Sequence, residues 1–324
     1  MDTYRSNKYL TTPERLKHTL TKYGVAVIPN VLDSKECEAS LSEMWGFFEK
    51  ITTKFNPPLK RNMPNTYKSF YDLCPLHSML IQHHGIGQAQ FAWTLRQNPK
   101  IVKIFADFYQ VKPKELLVSF DGASLHLPPE ITNKGYYRGN DWYHTDQSPL
   151  RPNFECIQSF ITLNDIEPGD ATLSFLEGSH QHHKEFSQEF KLNDASDWHK
   201  LDDTQKQFYI NKKECPPKKI AAPKGSLVLW DSRTMHCGSE SIKGRLNPKI
   251  RAVVYLCYHP RSYISNADLN KKLKAHQELR TTNHYPAKPK LFPKVPRTYG
   301  KVLPEITPAD PPNLTELGLK LAGY

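Results

Sequence analysis

Residues 223–239 read PKGSLVLWDSRTMHCGS and contain an apolar strand followed by a histidine. The apolar run between Gly225 and Asp231 is typical of a buried β-strand, and His236 lies just beyond it. Similar runs, rich in Val, Ile, Leu, Phe and Tyr and bounded by turn residues, recur as LLVSF at 116–120, FECIQSFITLNDI at 154–166, ATLSFLEG at 171–178 and IRAVVYLCYHP at 250–260. Several short strands at this spacing predict a β-sandwich or jelly roll.

The segment WYHTDQSP at 142–149 places His144 two residues before Asp146. Side chains at positions i and i+2 of a strand point to the same face, so this imidazole and this carboxylate can bind one ion. The pair alone is a weak signal, because chance HxD pairs are common in a chain with 14 histidines. The order of HxD, strands, His236 and an arginine opening the next strand is more specific. Two histidines and one carboxylate form the facial triad of non-haem Fe(II) oxygenases.

That arginine is Arg251, at the start of the strand that follows His236. A guanidinium binds a carboxylate through two parallel charge-assisted hydrogen bonds, as the distal carboxylate of 2-oxoglutarate requires. Arg245 is a second candidate, but its loop, GRLN, is a less rigid support. The sequence therefore favours Arg251 as a carboxylate anchor, and an arginine in an ordinary salt bridge is the alternative.

The β-rich core is flanked by two parts whose sequence patterns differ from its own. Helical patterns with one short strand at Val25 precede it, and a helical segment and a proline-rich basic stretch follow Pro260. Two prolines and two glycines at 128–140, just before the HxD pair, predict a mobile cover for the site. We expect one integrated catalytic domain made of a helical part at 1–115, a jelly-roll core at 116–260 and an extension at 261–324.

The composition is that of a soluble globular protein. The 324 residues carry a formal net charge of +11, which fits either an acidic partner or a solvated basic surface, and the scattered lysines favour the surface. Six widely spaced cysteines without a CxxC pair predict free thiols in a reducing compartment. No signal peptide or apolar run long enough for a membrane span is visible. We therefore expect a cytoplasmic or nuclear protein.

Four stretches resemble the phytanoyl-CoA dioxygenase family of 2-oxoglutarate oxygenases. They are YGVAVIPNVLDSKEC at 23–37, DWYHTDQSP at 141–149, ITLNDIEPGDATLSFLEGSH at 161–180, and PKGSLVLWDSRTMHCGS at 223–239 with NPKIRAVVYLCY at 247–258. The resemblance implies a mainly β fold with helices, in which N-terminal helices pack on the outer sheet of a double-stranded β-helix. It also implies Fe(II), 2-oxoglutarate and O2 as reagents, with succinate and CO2 as products.

The chain departs from the usual family pattern at residues expected beside the cosubstrate. Phe160 stands where some members carry a tryptophan next to it. Gly238 stands where a hydroxyl residue often binds its carboxylate, and Ser239 is the candidate substitute. Gln158 is a further candidate, since it lies on the strand after the HxD pair.

Substrate-binding residues are predicted from position. Trp142, Tyr143 and Gln147 flank the HxD pair, and Asp121 precedes the predicted cover. The substrate is expected to be a small molecule, and the net charge favours an anionic one. A protein or nucleic-acid substrate is also compatible with the sequence, and the sequence does not indicate the oligomeric state.

Three rival functions share parts of this sequence pattern. A halogenase of this type lacks the carboxylate ligand, which Asp146 supplies. A zinc hydrolase could use the same three ligands but has no need of Arg251. A non-catalytic basic binding protein would be expected to have lost at least one ligand.

Overall fold

The computed structural model describes residues 7–324. The strands are β1 (Val25–Ile28), β2 (Leu80–Ile81), β3 (Leu116–Val118), β4 (Ala123–His126), β5 (His144–Thr145), β6 (Ile157–Thr162), β7 (Thr172–Leu176), β8 (His199–Lys200), β9 (Pro217–Lys219), β10 (Leu227–Asp231), β11 (His236–Ser239), β12 (Arg251–Tyr255) and β13 (Tyr258–Pro260). The α-helices are α1 (Leu16–Tyr23), α2 (Ser34–Ile51), α3 (Gln90–Arg96), α4 (Pro99–Tyr109), α5 (Pro129–Thr132), α6 (His183–Glu189), α7 (Asp203–Gln207), α8 (Asn266–Gln277) and α9 (Glu316–Ala322).

Two antiparallel sheets form the centre of the fold. The larger has the order β1-β10-β6-β12-β4-β2, and the smaller has the order β8-β5-β11-β7-β9. Strands distant in sequence are neighbours in both sheets, as in a jelly roll. The predicted mainly β fold with helices is confirmed.

Alternation along β10 separates an outer face from an inner face. Leu227 and Leu229 pack in the large hydrophobic cluster that also contains Phe48 of α2. Val228 and Trp230 lie in a second cluster together with residues of the smaller sheet. Successive side chains of a strand point to opposite faces. The helices therefore cover the outer face of the larger sheet, and its inner face lines the space between the two sheets.

The N-terminal part supplies an edge of the larger sheet as well as helices. Helix α1 ends at Gly24, whose φ of 76° is left-handed, and a Cβ there would lie 2.6 Å from Nδ1 of His180. Glycine is therefore needed twice over, for its conformation and for its lack of a side chain. Strand β1 follows directly and pairs with β10. The predicted short strand at Val25 within the helical N-terminal part is confirmed.

Helix boundaries follow their capping residues. Asp33 caps α2, accepting a hydrogen bond from the amide of Glu36, whose side chain accepts from the amide of Asp33. Helices α3 and α4 are separated at Asn98, which caps α4, and Pro99 begins α4. This capping positions α2 and α4 against the outer face of the larger sheet.

The C-terminal extension packs back onto the core. After α8, the amide of Thr282 donates to the carbonyl of Phe120 at 2.9 Å, and the segment 281–292 doubles back on itself through a bridge between Thr282 and Leu291. Helix α9 then buries Leu321 completely. The extension is thus part of the same packed unit as the two sheets.

All six cysteines are free thiols, as predicted. Among residues 7–324, no helix is both long and apolar enough to cross a membrane.

Candidate metal and cosubstrate site

His144, Asp146 and His236 converge between the two sheets. Strands β5 and β11 are neighbours, and His144 is directly opposite His236 in their register. One ligand atom from each of the three residues lies within 4.8 Å of the others. Nε2 of His144 is 3.7 Å from the Asp146 carboxylate, and Nε2 of His236 is 3.4 Å from it. Three donors at such separations can hold one ion at their centre.

Main-chain contacts orient both imidazoles. Nδ1 of His236 lies 2.9 Å from the carbonyl oxygen of Thr234, to which it can donate, and Nδ1 of His144 lies 3.4 Å from that of Trp142. A proton held on Nδ1 leaves Nε2 as a free lone pair that faces Asp146. The ligand set is therefore oriented by the strands that carry it.

Gln158 supports the carboxylate of the triad. Its side-chain amide on β6 donates a 2.8 Å hydrogen bond to Oδ2 of Asp146, while its own Oε1 has no partner among residues 7–324. Asp146 lies just beyond the end of β5, where no ladder fixes it, so this bond is what orients its second oxygen. Gln158, predicted to contact the cosubstrate, instead reaches the metal-binding carboxylate and lines the cavity.

The pKa shifts of His144 and Asp146 suit a metal. Burial lowers the pKa of His144, and Asp146 offsets this only in part. Burial alone would raise the pKa of Asp146, but the adjacent imidazole of His144, with that of His236, outweighs it and holds the pKa well below its usual range. Neutral imidazoles and an ionised carboxylate are the forms that bind a divalent ion.

Arg251 is buried on the wall of the same cavity without an acidic partner. Its side chain lies over the ring of Phe160 at 5.2 Å, and Nη1 is 3.4 Å from the sulfur of Met79. Nε is buried without a hydrogen-bond partner, and Arg251 forms no ion pair within residues 7–324. A buried guanidinium left unpaired is costly, so an external carboxylate is the partner that fits it.

Arg245, the second candidate, is fully engaged elsewhere. Its guanidinium pairs with Glu130 at 2.7 Å and with Asp170 at 2.6 Å. It does not line the cavity. The preference for Arg251 over Arg245 as a carboxylate anchor therefore has a structural basis.

The cavity has a volume of about 490 Å³ and lies between the sheets. The smaller sheet contributes the two histidines, and the larger sheet contributes Gln158, Phe160 and Arg251 on the opposite wall. Trp142 lies flat against His144, with ring centroids 4.6 Å apart, and its indole nitrogen donates to the carbonyl of Gly238 at 3.1 Å. Asp121 also lines the cavity. Trp142, Phe160 and Asp121 thus lie where the sequence predicted.

Three predicted site residues lie outside the cavity. Tyr143 points away from it because it alternates with Trp142 and His144, and its hydroxyl contacts Ser174. Ser239 alternates with Gly238 in the same way. Gln147 is fully buried, and its amide binds the carbonyls of Arg151 and Asn153 while its oxygen accepts from Ser232. The predicted substrate contacts of Tyr143 and Gln147 and the predicted cosubstrate contact of Ser239 are wrong.

The predicted cover at 128–140 does not line the cavity either. Glu130 is paired with Arg245, and the amide of Tyr137 donates to the carbonyl of Ser241 at 2.8 Å. These contacts fasten the segment to the loop between β11 and β12. Glycine and proline content alone could not show this, since it depends on partners more than 100 positions away.

The mouth of the cavity is instead built by segments that sequence reasoning missed. His77 stacks on the free face of Trp142 at 3.9 Å, and Trp198 lies 5.9 Å from His144. The segment 281–292 contributes His284 and Lys290. A single histidine or tryptophan in a loop is not part of a periodic apolar pattern, so the sequence does not reveal its role. Trp198, an apolar side chain within a polar loop, is the one residue of this set that the sequence could have singled out.

Comparison with known proteins places the chain in a family. The sequence profile described as phytanoyl-CoA dioxygenase (PhyH) matches residues 20–245, well over half of the chain. The protein belongs to the phytanoyl-CoA dioxygenase family. The match includes all three residues of the triad, whereas Arg251 and the segment 281–292 lie beyond it.

Relatives of this phytanoyl-CoA dioxygenase family member are distant. Ava biosynthesis cluster protein O of Aspergillus versicolor is 25% identical over 213 residues, which cover 63% of this chain and 65% of the relative. The chain thus spans slightly less than two thirds of that protein. A phytanoyl-CoA dioxygenase candidate from Dictyostelium discoideum is 23% identical over 261 residues, covering 71% of each chain. The solved structure of an oxidoreductase candidate from Salmonella typhimurium LT2 covers 98% of this chain and 86% of its own, with a TM-score of 0.58 and 11% identity.

Membership of the family confirms the resemblance seen in the sequence and the expected fold. It also accounts for the expected cofactor class, iron with 2-oxoglutarate. The residues fit that class, since a two-histidine, one-carboxylate set suits iron and the buried, unpaired Arg251 suits the distal carboxylate of the cosubstrate.

Proposed function

We propose that this protein is an Fe(II)- and 2-oxoglutarate-dependent dioxygenase that hydroxylates a C–H bond of a small molecule. One observation carries the proposal: a converged His144, Asp146 and His236 set shares one cavity with the unpaired Arg251. Neither the metal triad nor the unpaired arginine would identify the function alone. A metal triad fits several hydrolases, and a buried arginine can be structural, but a metal enzyme that must also bind a dicarboxylate needs both.

Each residue has a defined part in this proposal. His144, Asp146 and His236 hold the iron through Nε2, a carboxylate oxygen and Nε2. Gln158 keeps the carboxylate of Asp146 turned towards the metal through its 2.8 Å hydrogen bond. Arg251 anchors the distal carboxylate of 2-oxoglutarate, and the ring of Phe160 beneath the guanidinium keeps it in place.

The chemistry is that of the cofactors. Iron, 2-oxoglutarate and O2 together supply the oxidation, in which one oxygen atom enters the substrate as a hydroxyl and the other enters succinate, with release of CO2. The protein contributes position, and the rings of Trp142 and Trp230, which lie against His144 and His236, would help to exclude water from the metal site.

A cavity of about 490 Å³ supports a small-molecule substrate rather than a macromolecule. The zinc-hydrolase alternative explains the triad but gives no role to Arg251. No observation on the described residues favours the non-catalytic alternative, because no member of the ligand set is missing.

The test is formation of succinate. Protein loaded anaerobically with Fe(II) and 2-oxoglutarate should form succinate after exposure to air, slowly without its substrate. His144→Ala should abolish this activity. His83→Ala is the matched control, because His83 binds the carbonyl of Pro293 at 2.9 Å and does not line the cavity. Succinate formation that is equal in the two variants would exclude a role for the triad and overturn the proposal.

A further inference from the structure

The charged residues lining the cavity leave one charge unbalanced. They are Asp121, Asp146, Asp197, Arg251 and Lys290. Asp197 and Lys290 pair with each other at 2.8 Å at the mouth. In the loaded site the two charges of iron offset those of 2-oxoglutarate, and Asp146 offsets Arg251. Among residues 7–324, Asp121 is then the remaining charged group that faces the cavity.

Asp121 is 8% exposed and forms no ion pair within the described part of the chain. Its Oδ1 accepts from the amide of Gly122 at 2.7 Å. The nearby guanidinium of Arg96 donates to the main-chain carbonyls of Asp121 and Gly87 rather than to the carboxylate. Burial raises the pKa of Asp121 to about 6, against the opposing effects of hydrogen bonds from the Gly122 amide and the Gln82 side chain and of the nearby Arg96 guanidinium, so the carboxyl is mostly ionised at neutral pH.

The other walls are apolar or uncharged. Leu76, Leu80, Trp198 and Phe292 line the outer part of the cavity. Burial lowers the pKa of His77 and that of His284, so neither imidazole adds a positive charge at neutral pH. The basic surface that gives the chain its charge of +11 therefore does not extend into the cavity.

We infer that the substrate is a cationic amine with an apolar, ring-bearing body, and that Asp121 binds its ammonium group. This inference rests on the proposed function, because the charge balance assumes bound iron and 2-oxoglutarate. An ammonium supplies a directly bonded counter-charge, which Asp121 lacks because Arg96 donates to main-chain carbonyls instead, and the aromatic walls suit both a ring and a neighbouring cation. The anionic substrate expected from the net charge, and any acyl-CoA with its phosphates, would meet Asp121 as a like charge.

The test compares three probes that share one ring and differ in end group: 3-phenylpropylamine, 3-phenylpropanol and 3-phenylpropionate. Binding is followed by tryptophan fluorescence, since Trp142, Trp198 and Trp230 line the cavity. The protein is loaded with Zn(II) and 2-oxoglutarate, so that Asp146 and Arg251 are occupied and no turnover occurs. We expect the amine to bind about ten-fold or more tightly than the alcohol, and the carboxylate to bind most weakly.

Asp121→Asn should abolish the preference for the amine while leaving the affinity for the alcohol unchanged. Asp165→Asn is the matched control, because Asp165 also accepts from a backbone amide, that of Lys224 at 2.9 Å, but does not line the cavity. It should keep the preference.

Equal affinities of the wild-type protein for the amine and the alcohol would overturn the inference, and this comparison needs no variant. A preference that persists in Asp121→Asn would also overturn it. Failure of 2-oxoglutarate to bind the Zn(II) protein would overturn the proposed function, and the inference with it. Binding of 2-oxoglutarate without amine selectivity would remove the inference alone.

Discussion

At the scale of single residues, the site depends on what holds its ligands rather than on the ligands alone. Asp146 lies past the end of a two-residue strand, and Gln158 from the opposite sheet fixes its orientation. The two sheets are therefore linked through the metal-binding carboxylate itself. A residue with this role should affect metal binding without contacting the metal.

Gln158→Leu should lower metal affinity by about 10- to 100-fold, because the carboxylate of Asp146 loses its orienting hydrogen bond. Titration with Co(II), followed by its visible absorption, measures this directly. Gln181→Leu serves as the control, since Gln181 binds main-chain carbonyls of Thr21 and Lys22 on the surface. Unchanged Co(II) affinity in Gln158→Leu would show that the hydrogen bond does not orient Asp146 for the metal.

Arg251→Gln should raise the KM for 2-oxoglutarate by about 10- to 100-fold, the usual consequence of losing a charge-assisted hydrogen bond. Arg245→Gln should leave that KM unchanged and instead lower stability by about 3–5 kcal/mol, because Glu130 and Asp170 lose a largely buried partner. Steady-state kinetics and urea unfolding of both variants give the comparison. A larger rise in KM for Arg245→Gln than for Arg251→Gln would reverse the assignment.

Spacing predicted the His144 and Asp146 pair because side chains two residues apart on a strand share one face, and the order of strands along the chain added His236. The same rule explains the errors, since Tyr143 and Ser239 are odd neighbours of residues that face the cavity. No rule of strand geometry predicts the position of Gln147. Only the fold shows that its side-chain amide is hydrogen-bonded to Arg151, Asn153 and Ser232.

At the scale of elements, two loops close the mouth of the cavity. Asp197 pairs with both Arg151 and Lys290, which connects the loop before β8 to the segment 281–292. Arg151 also pairs with Glu155 at 2.8 Å. The charges at the mouth therefore hold the two loops together.

Asp197→Asn should loosen both loops. Faster backbone hydrogen exchange is expected in residues 192–198 and 283–292, with little change in Tm, because Lys290 is largely exposed and such pairs contribute about 0–1 kcal/mol each. Exchange measured by mass spectrometry tests this. Protection that is unchanged in both segments would mean that the ion pairs do not connect them.

The long strands and helices could be predicted because each has its own repeating pattern of apolar residues, as in α2 and β10. Helices such as α2 also have capping residues at their ends. Short strands such as β5 and β8, two residues each, have no period of their own. They exist because neighbouring strands pair with them, and the same is true of the segment 281–292. Sequence patterns therefore located the core of the site but not its mouth.

At the scale of the whole molecule, the chain forms one packed unit around the two sheets. Residues beyond the family match supply Arg251, part of the cavity mouth and helix α9. Leu321 of α9 is fully buried in the same cluster as the outer face of the larger sheet. The extension should therefore contribute to stability as a core element does.

Leu321→Ala should lower the free energy of unfolding by about 2–5 kcal/mol, the usual cost of truncating a buried leucine. Leu319→Ala, on the same helix but 41% exposed, should cost much less. Urea unfolding of the two variants compares them. Equal losses, or no loss from Leu321→Ala, would show that α9 is not part of the cooperative core.

The central claim is that one cavity holds iron and 2-oxoglutarate together. The most direct measurement is the visible metal-to-ligand charge-transfer absorption that appears when Fe(II) and 2-oxoglutarate are combined anaerobically with the protein. We expect the band for the wild-type protein and for His83→Ala. We expect no band for His144→Ala, and for Arg251→Gln a band only at higher 2-oxoglutarate concentration. Absence of the band from the wild-type protein, with Fe(II) shown to bind, would contradict the account.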